Sequence, residues 1–210
     1  MGDPGYVDFC LFLCCHVTMQ TIGNKSTPWA LTADNDWLLD TRRVPSPNLD
    51  PRQTATAIDT IVIHGISLPP KVYGGPYIEQ LFTNTLDGKA HPYFEDIVNL
   101  RVSAHLLIDR AGHVTQFVPF SARARHAGVS SFQERTDCNE YSIGIELEGC
   151  DDEPYEPCQY QVLAEVVKVL LRCWPAITPE RIVGHSDIAP ERKTDPGPAF
   201  DWAYFRELLG

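Results

Sequence analysis

Ala57-Ile-Asp-Thr-Ile-Val-Ile-His-Gly-Ile66 contains the unbroken β-branched run Ile61-Val62-Ile63 and then His64. A strand with one wet face alternates apolar and polar residues, so an uninterrupted run is the pattern of a strand covered on both faces. Sheets covered in this way occur where helices pack on them, and ligands gather at the C-terminal ends of their strands, where His64 falls.

The flanking sequence supplies the rest of such a layered unit. Tyr141 to Glu148 alternates, with Tyr141, Ile143, Ile145 and Leu147 on one face and Ser142, Gly144, Glu146 and Glu148 on the other. Two carboxylates therefore share one non-core face. Ser103 to Asp109 and Val114 to Val118 flank Arg110-Ala-Gly-His113 as a hairpin, and Arg181 to Val183 is a short strand leading to Gly184-His185. Pro157 opens a helix in which Leu163, Val166, Val167, Leu170, Leu171 and Trp174 recur at helical spacing before Pro175 stops it. Shorter helices are expected from Pro76 to about Asn84 and from Ala199 to Leu209. The expected fold is α/β: a single domain with a central mixed β-sheet flanked by helices, and a metal site at the sheet's edge in a surface cleft. Thr21 to Arg52, with four prolines, reads as irregular chain wrapping that core.

With 210 residues, 43% of them apolar, the chain can bury one substantial core, and no shift of composition divides it. Residues 36–210 are read as the domain, and residues 1–35 as an N-terminal extension, either partly disordered or the product of a start upstream of Met19. A formal charge of -11 disfavours nucleic acid and anionic membranes as partners, so an acidic substrate must be caught by a few local cations. Seven cysteines, an odd number with no Cys-x-x-Cys pair, fit a reducing compartment. The apolar run Val7 to Val17 is too short to span a bilayer and follows Asp3 rather than Lys or Arg. A cytoplasmic monomer is the expectation.

Three side chains can hold zinc: His64, His185 and Asp195. The last two bracket a loop that can fold back and bring the carboxylate beside the imidazole. Three protein ligands leave a fourth position for a reacting water, which points to hydrolysis rather than to structural zinc. Glu146 shares its strand face with the small residues Ser142 and Gly144, leaving room for a bound group, and could take a proton from that water. Lys193, two residues before Asp195, could support an oxyanion. Arg101 offers a forked donor for a substrate carboxylate. Glu148 is the weaker acid candidate, suited to positioning loops. His105 reads as a satisfied, partly buried histidine and His126 as a residue that could line the cleft; His16, His91 and His113 belong to no constellation. The cysteines read as small core or surface thiols.

The stretches Arg42-Arg-Val-Pro-Ser-Pro47, Ile63-His-Gly-Ile-Ser-Leu-Pro-Pro70, Arg101-Val-Ser-Ala-His105, His126-Ala-Gly-Val129, Ser142-Ile-Gly-Ile-Glu-Leu-Glu-Gly149 and Gly184-His-Ser-Asp-Ile-Ala-Pro-Glu-Arg-Lys-Thr-Asp-Pro-Gly-Pro198 together carry a resemblance. From about Trp37 onward the chain resembles the AmpD-type 1,6-anhydro-N-acetylmuramyl-L-alanine amidases of the zinc amidase and peptidoglycan-recognition-protein superfamily. The resemblance implies one zinc on His64, His185 and Asp195, catalysis by Glu146 and Lys193, and a hold by Arg101 on the peptide part of an anhydro-muramyl peptide. It implies cleavage of the amide between the lactyl group and L-alanine, in cell-wall recycling. Two positions depart from relatives: Gly65 stands where some carry Asn, and Asp137 where some carry Arg, which removes a cation from peptide recognition. A module that only binds muropeptides would lack the complete ligand set found here, and an envelope amidase would need an export signal.

Overall fold

The computed structural model describes residues 29–53 and 56–210. In chain order the strands are β1 (Arg42–Arg43), β2 (Leu49–Pro51), β3 (Thr60–Ile66), β4 (Leu106–Ile108), β5 (Val114–Gln116), β6 (Ala122–Ala124), β7 (Ser131–Phe132), β8 (Arg135–Thr136), β9 (Ser142–Glu148) and β10 (Ile182–Gly184). The helices are α1 (Tyr77–Phe82), α2 (Pro92–Ile97), α3 (Pro157–Cys173), α4 (His185–Ile188) and α5 (Trp202–Leu209). Six strands form the central sheet in the order β1-β5-β4-β9-β3-β10. Only the β4–β5 hairpin is antiparallel, so the sheet is mixed, as expected.

One face of the sheet builds the main core. Ile61 and Ile63 of β3 and Ile143, Ile145 and Leu147 of β9 meet Leu163, Val166, Val167 and Leu170 of α3 and Phe205 of α5, all of them fully buried. Burying each such side chain stabilises the fold by roughly 1.5–3 kcal/mol, which is why the helical spacing on α3 is sufficient to seat it. Pro157 starts α3 where a missing N–H costs nothing, and the Gln159 side chain accepts the Glu156 N–H at 3.0 Å. The terminal helix begins at Trp202 rather than Ala199, because Asp201 caps it by accepting the Tyr204 N–H.

The other face carries Ser142, Gly144, Glu146 and Glu148 and is covered too, so all seven residues of β9 are buried. Its apolar part, Val62, Ala127, Cys138, Tyr141, Val183 and Ile188, is a separate small core under the 126–141 segment and α4. The alternation read in β9 therefore separates an apolar core from a buried polar site, not from solvent; Tyr141, read on the face of Ile143, Ile145 and Leu147, falls instead in the second core, because the strand begins only at Ser142. Glu148 holds loops, as its weaker reading suggested: it accepts the backbone N–H groups of Gly74 and Arg110.

The proline-containing segment before β3 is more ordered than its composition implies. β1 extends the central sheet beside β5, and β2 pairs antiparallel with β6. Trp29 and Leu31, inside the stretch read as an extension, pack against the main core. Residues 1–28, with His16, Met19, Cys10, Cys14 and Cys15, lie outside the described residues.

His105 is fully rather than partly buried, and it is satisfied. Its Nδ1 accepts the Gly144 N–H at 3.0 Å, so its Nε2 carries the proton donated to the Ala122 carbonyl at 3.1 Å. Burial, reinforced by the Arg52 cation, pushes the ring down to about 3 from an ordinary 6.5. Between those values the unfolded chain binds a proton that the folded one refuses, so stability is complete above about pH 6.5 and drains away toward about pH 3. Urea unfolding of metal-free protein is expected to show a lower midpoint at about pH 4.5 than at about pH 7, with a shallower decline in His105→Gln.

Candidate active site

Parallel pairing of β3 with β9 sets His64 directly opposite Glu146, and both side chains leave the sheet on the polar face. The site thus sits on the face of interior strands near their C-terminal ends, with β10 the only true edge strand contributing to it. That strand runs straight into α4, whose first residue is His185. The chain then returns, and the backbone carbonyl of Asp195 accepts the Ser186 N–H at 2.9 Å, closing the loop beside His185.

Three ligand atoms converge. His64 Nδ1 and His185 Nδ1 are 3.0 Å apart, His185 Nδ1 lies 3.1 Å from Asp195 Oδ2, and His64 Nδ1 lies 3.3 Å from the same oxygen. Ligands held at about 2.0–2.1 Å in a tetrahedron stand about 3.3 Å from one another, so this triangle fits a zinc-sized ion with a fourth side free. Burial, partly opposed by Asp195, pushes His64 down to about 4 and keeps it neutral and able to ligate. Burial works to raise Asp195, but hydrogen bonding to His185 and His64 prevails and holds its carboxyl well below the usual carboxylate range. Neutral imidazoles and a charged carboxylate are the donor set zinc takes.

Glu146 completes the group without joining the triangle. It is 8% exposed, and its Oε2 is buried with no hydrogen-bond partner. An orphaned carboxylate oxygen beside three ligand atoms is a place for a water held between them. Burial, and then repulsion from Asp195, pushes Glu146 well above its ordinary value, with the Lys193 charge acting against them. Lys193 is half-buried and lines the same 530 Å³ cleft as His64, Glu146, His185 and Asp195.

That cleft adjoins a second hollow of 800 Å³, with Arg125, His126, His185 and Lys193 in the walls of both. The second hollow is basic, with Arg101, Arg123, Arg125 and Arg192 in its lining. Arg101 is therefore placed in the neighbouring hollow rather than at the metal triangle; it is exposed and donates to the Val98 and Leu100 carbonyls. Asp137 lines the same hollow and pairs with Arg123 at 3.2 Å, while Arg125 pairs with Asp50 at 2.8 Å. Gly65 is forced by its surroundings: a Cβ there would lie 2.2 Å from the Tyr155 hydroxyl, which donates to the Pro196 carbonyl at 3.0 Å.

His64, His185, Asp195, Glu146 and Lys193, singled out in the sequence, all line one cleft in the structure. Sequence reasoning missed Tyr155 behind Asp195, Arg125 between the two hollows and Asn139 beneath His126. Tyr155 and Asn139 stand next to no candidate in the chain, so no local pattern marks them; Arg125 directly precedes His126, and that adjacency was the one signal that could have found it.

The family model described as N-acetylmuramoyl-L-alanine amidase matches residues 54–198. The chain is 55% identical over 176 residues to the 1,6-anhydro-N-acetylmuramyl-L-alanine amidase AmpD of Escherichia coli K12, covering 84% of this chain and 96% of that protein. It is 52% identical over 165 residues to the Haemophilus influenzae AmpD, covering 79% of this chain and 90% of the relative. A crystal structure of a selenomethionine AmpD derivative superposes with a TM-score of 0.82 at 55% identity, covering 86% of this chain and all 100% of that one. The E. coli amidase AmiD, in complex with the substrate anhydro-N-acetylmuramic acid-L-Ala-D-gamma-Glu-L-Lys, superposes with a TM-score of 0.53 at 30% identity, covering 85% of this chain and 65% of that one. With a zinc-sized ligand triangle, an adjacent carboxylate and these relatives, the chain belongs to the N-acetylmuramoyl-L-alanine amidase family.

Proposed function

We propose that this protein is a zinc amidase that hydrolyses the bond between the lactyl group of 1,6-anhydro-N-acetylmuramic acid and L-alanine, in the recycling of cell-wall fragments. The observation that carries the reading is the ligand triangle of 3.0–3.3 Å beside the unpartnered Glu146 oxygen. One zinc per chain would be held by His64, His185 and Asp195. When bound, it supplies an acidified water and a Lewis acid for the amide carbonyl.

The protein's own groups do the rest. Glu146 accepts the proton of the attacking water through Oε2, a role helped by a carboxylate whose affinity for protons burial has raised. Lys193, in the lining of the same cleft, supports the negative charge that develops on the carbonyl oxygen. Glu146 then returns the proton to the departing amine, without which an amide does not cleave. Arg101 and the basic hollow around it take the acidic peptide stem, the local cations that a chain of net charge -11 needs for such a substrate. No helix among the described residues is long and apolar enough to cross a membrane. The reading is of a monomer acting on free fragments in the cytoplasm.

Mass spectrometry of products from anhydro-muramyl tripeptide and from intact peptidoglycan tests it. Free peptide and intact anhydro-sugar from the first substrate, with little release from the second, are expected. Release from intact wall at an equal rate would overturn the recycling role, and no release from either would overturn the amidase.

A further inference from the structure

We infer that Asn139 is a positioning residue for the metal centre: it clamps the His126–Ala127 dipeptide, which supplies the outer hydrogen-bond partner of both metal-binding histidines. This rests on the zinc reading above. An imidazole presents a bare Nδ1 to a metal only when its Nε2 carries the proton, so whatever accepts from Nε2 decides whether the ring can ligate. For His185 the acceptor is the Ala127 carbonyl, 3.1 Å from Nε2. A carbonyl cannot donate, and the tautomer is set.

For His64 the partner is another histidine, and the direction is set further away. Ser142 Oγ donates to the Cys138 carbonyl at 2.5 Å, which leaves its lone pairs to accept from His126 Nε2 at 3.2 Å. His126 Nδ1 is then bare and accepts from His64 Nε2 at 2.9 Å. The carbonyl at the far end orders the whole chain so that His64 Nδ1 faces the centre as a lone pair.

Both arrangements run through adjacent residues, and one side chain accepts both of their backbone N–H groups, while Arg192 donates to the Ala127 carbonyl from the outside at 2.6 Å. Asn139 Oδ1 accepts the backbone N–H of His126 at 2.9 Å and of Ala127 at 2.8 Å. Asn139 is 5% exposed and lies in the 3-10 turn Cys138–Glu140, the same turn whose Cys138 carbonyl terminates the His126 chain. The ring of His126 is seated against Gly144, where a Cβ would come within 2.4 Å of its Cγ. Removing the Asn139 acceptor unties both backbone amides of the dipeptide at once and loosens both outer contacts, leaving Arg192 on the Ala127 carbonyl and Ser142 on the His126 ring.

The test measures zinc affinity by competition with a chromophoric chelator, alongside thermal unfolding of the metal-free protein. Asn139→Leu is expected to weaken zinc binding by about 10–100-fold, the usual effect of losing an outer partner of a ligating histidine. Asn139→Asp, which keeps an oxygen for both amides, is expected to stay within about threefold of wild type. His126→Phe, which keeps a ring on Gly144 but offers His64 no acceptor, is expected to weaken zinc as Asn139→Leu does. Should the Leu variant fail to fold, Asn139→Ser, too short to reach both amides, takes its place with the same expectation. Wild-type zinc affinity in the Leu or Ser and the Phe variants would overturn the inference, as would an Asp variant that loses as much as the Leu variant. Wild-type protein that binds no zinc overturns the metal reading instead.

Discussion

Glu146→Ala is expected to lower kcat on anhydro-muramyl peptide by about 10³-fold, within the range that one positioned acid–base group contributes, while zinc content stays near one per chain. The separation of the two effects follows from geometry. Glu146 stands outside the triangle formed by His64, His185 and Asp195, and its Oε2 has no partner. Truncation therefore takes away a proton acceptor without taking away a ligand. It also removes a buried carboxylate that burial and Asp195 already push toward its neutral form, so the metal-free protein should unfold at no lower temperature than wild type. Glu146→Gln, of the same shape, should lose nearly as much activity. Steady-state kinetics with atomic absorption on the same samples decides the matter; loss of zinc from Glu146→Ala would make Glu146 a ligand.

Asp195→Ala should behave in the opposite way, losing zinc and activity together. Asp195 is the anionic member of the triangle, and burial holds the His64 imidazole neutral beside it. Removing one partner of a buried charged pair costs about 3–5 kcal/mol, which predicts roughly a 10³-fold weaker hold on zinc. The loop itself should persist, because its contact with Ser186 is made by the Asp195 backbone carbonyl, which alanine retains. Chelator competition reports the metal, and circular dichroism the fold. An Asp195→Ala protein with wild-type zinc affinity would remove Asp195 from the ligand set.

The two variants together separate a ligand from a base, the two roles that the sequence reading expects of these residues. Asp195 was marked by its loop with His185, and Glu146 by the small residues on its strand face. Lys193 was legible for a similar reason, two positions from Asp195 in one loop. Arg101 was legible as a cation, but the structure puts it in the second hollow, because its place depends on how the segment after α2 packs and not on any spacing to the triangle.

The fold was legible where periodicity reports burial. The run Ile61-Val62-Ile63, the alternation in β9 and the helical spacing of α3 each state which faces an element hides, and each element formed within a few residues of expectation. The segment before β3 was not, because strands of two or three residues, such as β1 and β2, are too short to show a period and exist only through pairing with β5 and β6.

What the sequence by itself determined is the set of chemical types: two imidazoles, a carboxylate to complete a ligand set, a second carboxylate and an ammonium, each on an element its own pattern specifies. What only the tertiary structure decided is the state in which those groups meet. The register of β3 against β9 sets His64 beside Glu146, and burial keeps the ring neutral. The tautomer of His64 is decided by a carbonyl three hydrogen bonds away, at Cys138, and the outer contacts of both histidines by a side chain at Asn139. Hydrogen-bond direction and desolvation depend on everything packed around a group, and a one-dimensional pattern does not carry that information.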